Sequence, residues 1–151
     1  MVHVEGPTNS EAAYFDLPWE ALYGYAQAVR SGNTLYISGQ LSHDEEGNFI
    51  APAELNASGQ ITSTENTEAQ MRATYVNAAR ILASFGATLN DVVEETIYAI
   101  DVDAAFAAAG PVRKEAYGSE RPKVASTLAG TTRLALPQQL IEVSMTAVLP
   151  G

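Results

Sequence analysis

In the segment Leu140 to Val148, Ile141, Val143, Met145 and Ala147 alternate with Glu142, Ser144, Thr146 and Val148. A period of two puts these sets on opposite faces of a strand, so one face is apolar and the other mostly polar. Such a strand requires a sheet covered on one side. The covering elements are legible upstream. Apolar residues recur at Met71, Tyr75, Ala78, Leu82 and Phe85, one face of an amphipathic helix. Ser63 and Thr64 are its candidate N-caps, Glu65 and Glu68 suit its first turns, and Gly86 supplies its stop. A second, Ala-rich helix runs from about Asp103 to Tyr117, with Pro111 either kinking it or marking its start.

The remaining strands follow from composition and turn signals. Ala26 to Arg30 and Thr34 to Ser38 flank Ser31-Gly32-Asn33 as a hairpin, Asp91 to Asp101 is a β-branched run, and Val124 to Leu136 leads through Pro137-Gln138-Gln139 into the last strand. The order is β-β-α-β-α-β-β, an α+β fold with a mixed sheet and two helices on one face. The other face needs water or a partner. Residues 1–23, with Gly6-Pro7, Asn9-Ser10 and Pro18, read as an irregular N-terminal arm, and residues 24–151 as a single domain.

Charge and missing motifs narrow the function. With 18 Asp and Glu against 8 Lys and Arg, the net charge is −10, and the cations are scattered, so no nucleic-acid partner is expected. Arg113, Lys114 and Arg121 form a loose triple, either a local anion site or, as the sequence favours, a solvated helix end. The chain has no Cys, which excludes a thiolate nucleophile and a thiolate zinc site. There is no phosphate loop, nucleophile elbow or His-Glu-x-x-His helix, and no cofactor or metal is expected. His43 beside Asp44, Glu45 and Glu46 suits a solvated hairpin tip better than a metal site. No signal peptide or membrane span is evident, so a cytoplasmic protein with no membrane partner is expected, and the Asn56-Ala57-Ser58 sequon carries no weight.

Two features could carry chemistry. Glu142 sits between Ile141 and Val143 and shares a face with Ser144 and Thr146; a partly desolvated carboxylate there suits acid/base work, and a surface residue paired with a cation is the alternative. The segment Ala125-Ser126-Thr127-Leu128-Ala129-Gly130-Thr131-Thr132 is rich in small and hydroxylated residues. It either leaves room and donors for a ligand or is an edge strand with a Gly bulge.

The ordered set Gly24-Tyr25-Ala26-Gln27-Ala28-Val29, Gly32 to Gln40, the helix Thr67 to Gly86, Asp91 to Tyr98, Arg121-Pro122 to Leu134 and Leu140-Ile141-Glu142-Val143 resembles the Rid (reactive intermediate deaminase), or YjgF-like, family. The resemblance spans residues 24 to 148. It implies a chorismate-mutase-like fold, a homotrimer with sheets around a central barrel, and small-molecule clefts between subunits. It also implies cofactor-free hydrolysis of enamines and imines, with an Arg on the penultimate strand clamping the substrate carboxylate and a Glu on the last strand positioning water.

Carried onto this chain, the resemblance assigns substrate-binding roles to Tyr25, Ser38, Gly39, Thr127 and Leu128, with Ser126 holding the ligand beside Thr127, and the catalytic role to Glu142. The clamp does not carry over. Pro122-Lys123-Val124-Ala125-Ser126-Thr127 places Ser126 where the family has Arg, and a hydroxyl does not replace a bidentate guanidinium. Arg133 lies seven residues further, on the opposite face of a regular strand unless Gly130 forms a bulge. The expectation is therefore an imine or enamine hydrolase acting on a small molecule other than 2-aminoacrylate. The alternatives are a non-catalytic trimer that binds a metabolite or partner, and a biosynthetic or aminomuconate-type deaminase.

Overall fold

The computed structural model describes residues 1–151. Seven strands form one sheet: β1 (His3–Glu5), β2 (Ala12–Tyr14), β3 (Ala28–Ser31), β4 (Thr34–Gln40), β5 (Val92–Ala99), β6 (Ala125–Gly130) and β7 (Ile141–Val148). Their order is β1-β2-β3-β4-β7-β5-β6. Every pairing is antiparallel except β5 with β6, which is parallel. That parallel pair is possible because the helix α3 (Val102–Tyr117) supplies the crossover. The helix α2 (Thr67–Ala83) connects β4 to β5, and both helices lie on the same face.

The alternation in β7 is the axis of this arrangement. Ile141, Val143, Met145 and Ala147 are buried against the helices, while Glu142, Ser144 and Thr146 are half-buried and Val148 exposed on the other face. From α2, Met71, Tyr75, Ala78, Ile81 and Leu82 fill the core, with Phe85 at its margin. From α3 come Ala105, Ala108, Ala109, Val112 and Tyr117. The face away from the helices leaves Tyr36, Tyr98 and Val148 substantially exposed. No helix is long and apolar enough to cross a membrane.

Several local readings change. The expected irregular arm over residues 1–23 instead forms β1, β2 and a short helix, α1 (Pro18–Tyr23). Its strands owe their existence to the free edge of β3, where Ala12 pairs with Val29 and Ala13 with Ala28. Ser63 and Thr64 do not cap α2, which begins after Asn66. Thr64 instead donates its hydroxyl to Asp101 Oδ2 at 2.6 Å, and Asp101 caps α3 by accepting from Ala104 N at 3.0 Å. Pro111 lies inside α3 rather than at its start.

The penultimate strand ends at Gly130 rather than Leu136. A Cβ on Gly130 would come within 2.7 Å of Val102, and beyond Thr131 the chain turns away into a loop. The β3–β4 hairpin forms as expected, pairing Ser31 with Thr34 around a turn in which Gly32 has φ 61°.

His43 is neither a solvated tip nor a metal ligand in a cluster. It is buried, with its ring edge-on to Phe15 and Trp19 at centroid distances of 5.2 and 5.4 Å, and its Nδ1 lies 2.8 Å from the carbonyl of Asp44. It therefore pins the first 23 residues to the domain. Burial holds its pKa below the ordinary value of 6.5, and the nearby Arg80 adds to this, against the hydrogen bond to Asp44 and the charges of Asp44 and Glu20.

A lowered imidazole pKa gives stability that is present above pH 6.5 and lost as pH falls through the folded-state value. Unfolding free energy measured by urea titration should fall between pH 7 and pH 5 with a slope of at most about 1.4 kcal/mol per pH unit for this one proton. In His43→Phe, which keeps the aromatic contacts, that part of the slope should vanish.

Candidate functional site

Glu142 projects from the start of β7 onto the face that the helices leave open. Two features fix its carboxylate. Gln139, fully buried just before the strand, donates its amide to Glu142 Oε1 at 3.1 Å and to the carbonyl of Ile141 at 3.2 Å, and its own Oε1 accepts from Leu136 N at 3.3 Å. Across the ladder, the pairing of β4 with β7 shifts register between Ile37 and Gln40, and Gly39 lies in that irregularity. A Cβ on Gly39 would stand only 2.6 Å from Glu142 Oε2, so the backbone of β4 forms the wall on which the carboxylate rests.

Buried amides hold that irregularity in place. Gln40 donates to the carbonyl of Ser38 at 3.0 Å and to Gln27 Oε1 at 2.9 Å. Gln27 in turn donates to Glu20 Oε2 at 2.7 Å and to the Tyr25 hydroxyl at 3.3 Å. Glu20, though buried and without a cation, is satisfied by these contacts and by the amides of Phe15 and Leu17 at 2.8 and 3.2 Å. Ser38 donates its hydroxyl to the carbonyl of Ala26 at 2.8 Å, leaving only its lone pairs for a ligand.

Tyr25 follows α1 and is kept protonated. Burial raises its pKa most; the Gln27 hydrogen bond opposes this, and the charges of Glu20 and Glu142 add to it. Its hydroxyl therefore stays a donor in the field of Glu142. An open groove of about 680 Å3 between β2 and α1 includes Tyr25 and Glu20 but not Glu142, Ser38 or Gly39.

The β6 residues divide between the two faces. Thr127 pairs with Thr96, which pairs with Ser144, so a row of three hydroxyl residues shares the Glu142 face. Ser126 pairs with buried Glu95 and Leu128 with buried Ile97, so within one chain both lie on the helix face, opposite Glu142. Ser126 Oγ accepts from Arg113 Nη2 of α3 at 3.0 Å. Arg133 lies beyond the end of β6, where strand parity no longer applies, and its carbonyl accepts from the Thr131 hydroxyl at 3.1 Å.

The loose cationic triple is dispersed. Arg113 turns inward to Glu95, Lys114 pairs with Glu120 at 3.5 Å, and Arg121 is exposed. No three His, Asp or Glu side chains gather closely enough to hold a metal ion.

Sequence reasoning did not single out Gln27, Gln40 or Gln139 for the site. Gln27 and Gln40 meet only once β3 and β4 pair, whereas the position of Gln139 three residues before Glu142 offered a local signal.

An α+β sheet covered on one face, with a strand carboxylate held on the open face beside a tyrosine and a glycine wall, defines the class. The family model described as "Endoribonuclease L-PSP" matches residues 18–149. A RutC family protein of Pyrococcus abyssi is 33% identical over 98 residues, covering 65% of this chain and 67% of that protein. The mitochondrial protein mmf2 of Schizosaccharomyces pombe is 32% identical over 123 residues, covering 82% of this chain and 86% of that one. Among solved structures, a Mycobacterium tuberculosis member of the YjgF/YER057c/UK114 family superposes with a TM-score of 0.68 at 26% identity, covering 90% of this chain and 96% of that one. The chain belongs to the L-PSP family, the group that includes the YjgF, RutC and Rid proteins.

The contact between Gly39 and Glu142 can be tested without a substrate. Gly39→Ala should destabilise the protein by about 1–3 kcal/mol, the usual cost of forcing an atom into a packed site. In a Glu142→Ala background, urea denaturation should show that cost reduced by about 1 kcal/mol or more, because the clashing partner is gone.

Proposed function

We propose that the protein hydrolyses imines or enamines of small molecules to carbonyl compounds and ammonia, without a cofactor. The single observation that carries this reading is the carboxylate of Glu142, held by Gln139 on one oxygen and set against Gly39 on the other. Glu142 accepts a hydrogen from a water and turns its lone pair toward the imine carbon. Addition of that water gives a carbinolamine; return of a proton to nitrogen expels ammonia and leaves the carbonyl. The protonated Tyr25 supplies a donor to the nitrogen or to the developing oxygen. Thr127, Ser38 and the backbone at Gly39 complete the ligand contacts.

The same reading makes the functional unit a homotrimer with clefts between subunits. Its support is the sheet face that no helix covers, where Tyr36, Tyr98 and Val148 stay exposed among polar residues, a face that needs either water or a partner. Light scattering should give three times the chain mass of 16.0 kDa.

A second reading, RNA cleavage, draws on the family description as an endoribonuclease. A net charge of −10 opposes it, because phosphate binding is driven by cations.

Ammonia release from amino-acid imines generated in situ should exceed the buffer rate for the wild type and drop by about 10²-fold or more in Glu142→Ala, the scale of general-base loss. Release at the buffer rate by both proteins, across aliphatic and aromatic imines, would remove the hydrolase reading. RNA cleavage abolished by the same substitution would replace it.

A further inference from the structure

Glu20 grips Tyr25 at both ends. Its backbone carbonyl accepts from Gly24 N at 2.8 Å and Tyr25 N at 3.2 Å at the close of α1, while its carboxylate reaches the phenol through Gln27. We infer that Gln27, locked in orientation by Glu20, is a positioning residue that turns the hydroxyl hydrogen of Tyr25 outward and makes Tyr25 the proton donor of the site. The role as proton donor rests on the hydrolase reading; the orientation does not.

The direction follows from which groups can only accept. Glu20 Oε1 accepts from Leu17 N at 3.2 Å, and Oε2 from Phe15 N at 2.8 Å and Gln27 Nε2 at 2.7 Å. A carboxylate has no hydrogen to give, so Gln27 must face it with its NH2 group, and on the other side Gln27 Oε1 accepts from Gln40 at 2.9 Å. The same Nε2 lies 3.3 Å from the Tyr25 hydroxyl. A phenol oxygen that receives an N–H must aim its own hydrogen elsewhere. No group of the chain accepts it, so it stays available to a ligand.

The surroundings restrict the ring and prepare the oxygen. Gly24, at φ 84°, reverses the chain after α1, and Tyr23 then packs edge-on against the Tyr25 ring at a centroid distance of 5.4 Å. The indole N–H of Trp19, buried and without a hydrogen bond of good geometry, lies beside the phenol oxygen; like Gln27 it favours the ionised form, against burial and the charges of Glu20 and Glu142. Two N–H groups aimed at one oxygen suit a phenolate formed as the proton leaves.

Protons balance in both stages of imine hydrolysis. Attack of water on the imine carbon sends one water proton to Glu142 while nitrogen takes the Tyr25 proton, and the proton on Glu142 returns to the phenolate through solvent. On collapse the carbinolamine hydroxyl gives its proton to Glu142, the C–N bond breaks with its electron pair on nitrogen, and nitrogen takes a second proton from Tyr25. Both hydrogens gained by nitrogen come from one water.

The orientation is tested without a substrate. With 3-fluorotyrosine in place of the seven tyrosines, Tyr25→Phe identifies the 19F resonance of Tyr25. Its titration midpoint should rise by about half a pH unit or more in Gln27→Met, and rise also in Trp19→Phe, because each loses an N–H that supports the phenolate. A merely loosened site would act the other way, since water reaching a buried phenol lowers its pKa. Trp19→Phe keeps a ring against His43 and gives the reading even where Gln27→Met does not fold. A midpoint that falls or stays unchanged in the folded variants overturns the inference.

Turnover tests the donor role. Gln27→Met should lower kcat for imine hydrolysis about tenfold or more with KM changed less than about twofold, and should cost nothing further in a Tyr25→Phe background. Equal losses in both backgrounds overturn the positioning role. A raised midpoint without imine turnover by the wild type leaves the orientation of Tyr25 standing and removes the hydrolase. Imine turnover with an unchanged midpoint does the reverse.

Discussion

The structure depends on β7 lying between β4 and β5 with a strict two-residue alternation. Ile141, Val143, Met145 and Ala147 of that strand are buried on the helix face, so a slip of one residue would turn them to the open face and bury Glu142, Ser144 and Thr146. Burying a carboxylate without a partner costs several times what any one apolar contact contributes. The register is therefore fixed by the same residues that place the carboxylate. The register of β7 and the position of Glu142 are two results of one packing constraint.

Around that strand, buried amides do the local positioning. Gln70 accepts from Leu140 N and donates to the carbonyls of Ala51 and Gln138, so α2 holds the loop that leads into β7. Gln139 then hands the constraint to Glu142, while Gln40 and Gln27 hold the opposing irregularity in β4. Neutral amides suit this task. They satisfy buried backbone groups and orient a carboxylate without adding a cation that would form a closed salt bridge with it.

Legibility in the sequence followed the range of the interaction. The alternation in β7 and the apolar face of α2 are local patterns, and both were readable. β1 and β2 were not, because three-residue strands have no period to detect and exist only through pairing with β3. Thr131 to Leu136 has strand-like composition, yet β6 ends at Gly130 because β5, its one neighbour in the sheet, ends at the paired Ala99. His43 looked solvated among three acidic neighbours, but its ring is claimed by Phe15 and Trp19 from the first 23 residues. The resemblance directed attention to Glu142, Gly39 and Tyr25, whereas the glutamines around them take their roles from contacts made only in the fold, such as Gln40 with Gln27 and Gln70 with Leu140.

The Glu95 cluster follows the same logic from the other face. A buried ion pair contributes little net stability, since desolvation of both groups offsets most of their attraction. Burial raises the pKa of Glu95, and the hydroxyls of Tyr75 and Tyr117 together with the charge of Arg113 offset that only in part. An apolar residue in place of Glu95 would pack beneath α2 and α3 at lower desolvation cost, so the cluster is poorly explained as a source of stability. What it does fix is direction. With Nε drawn toward Glu95, the rest of the Arg113 guanidinium extends to Ser126 at the free edge of the sheet.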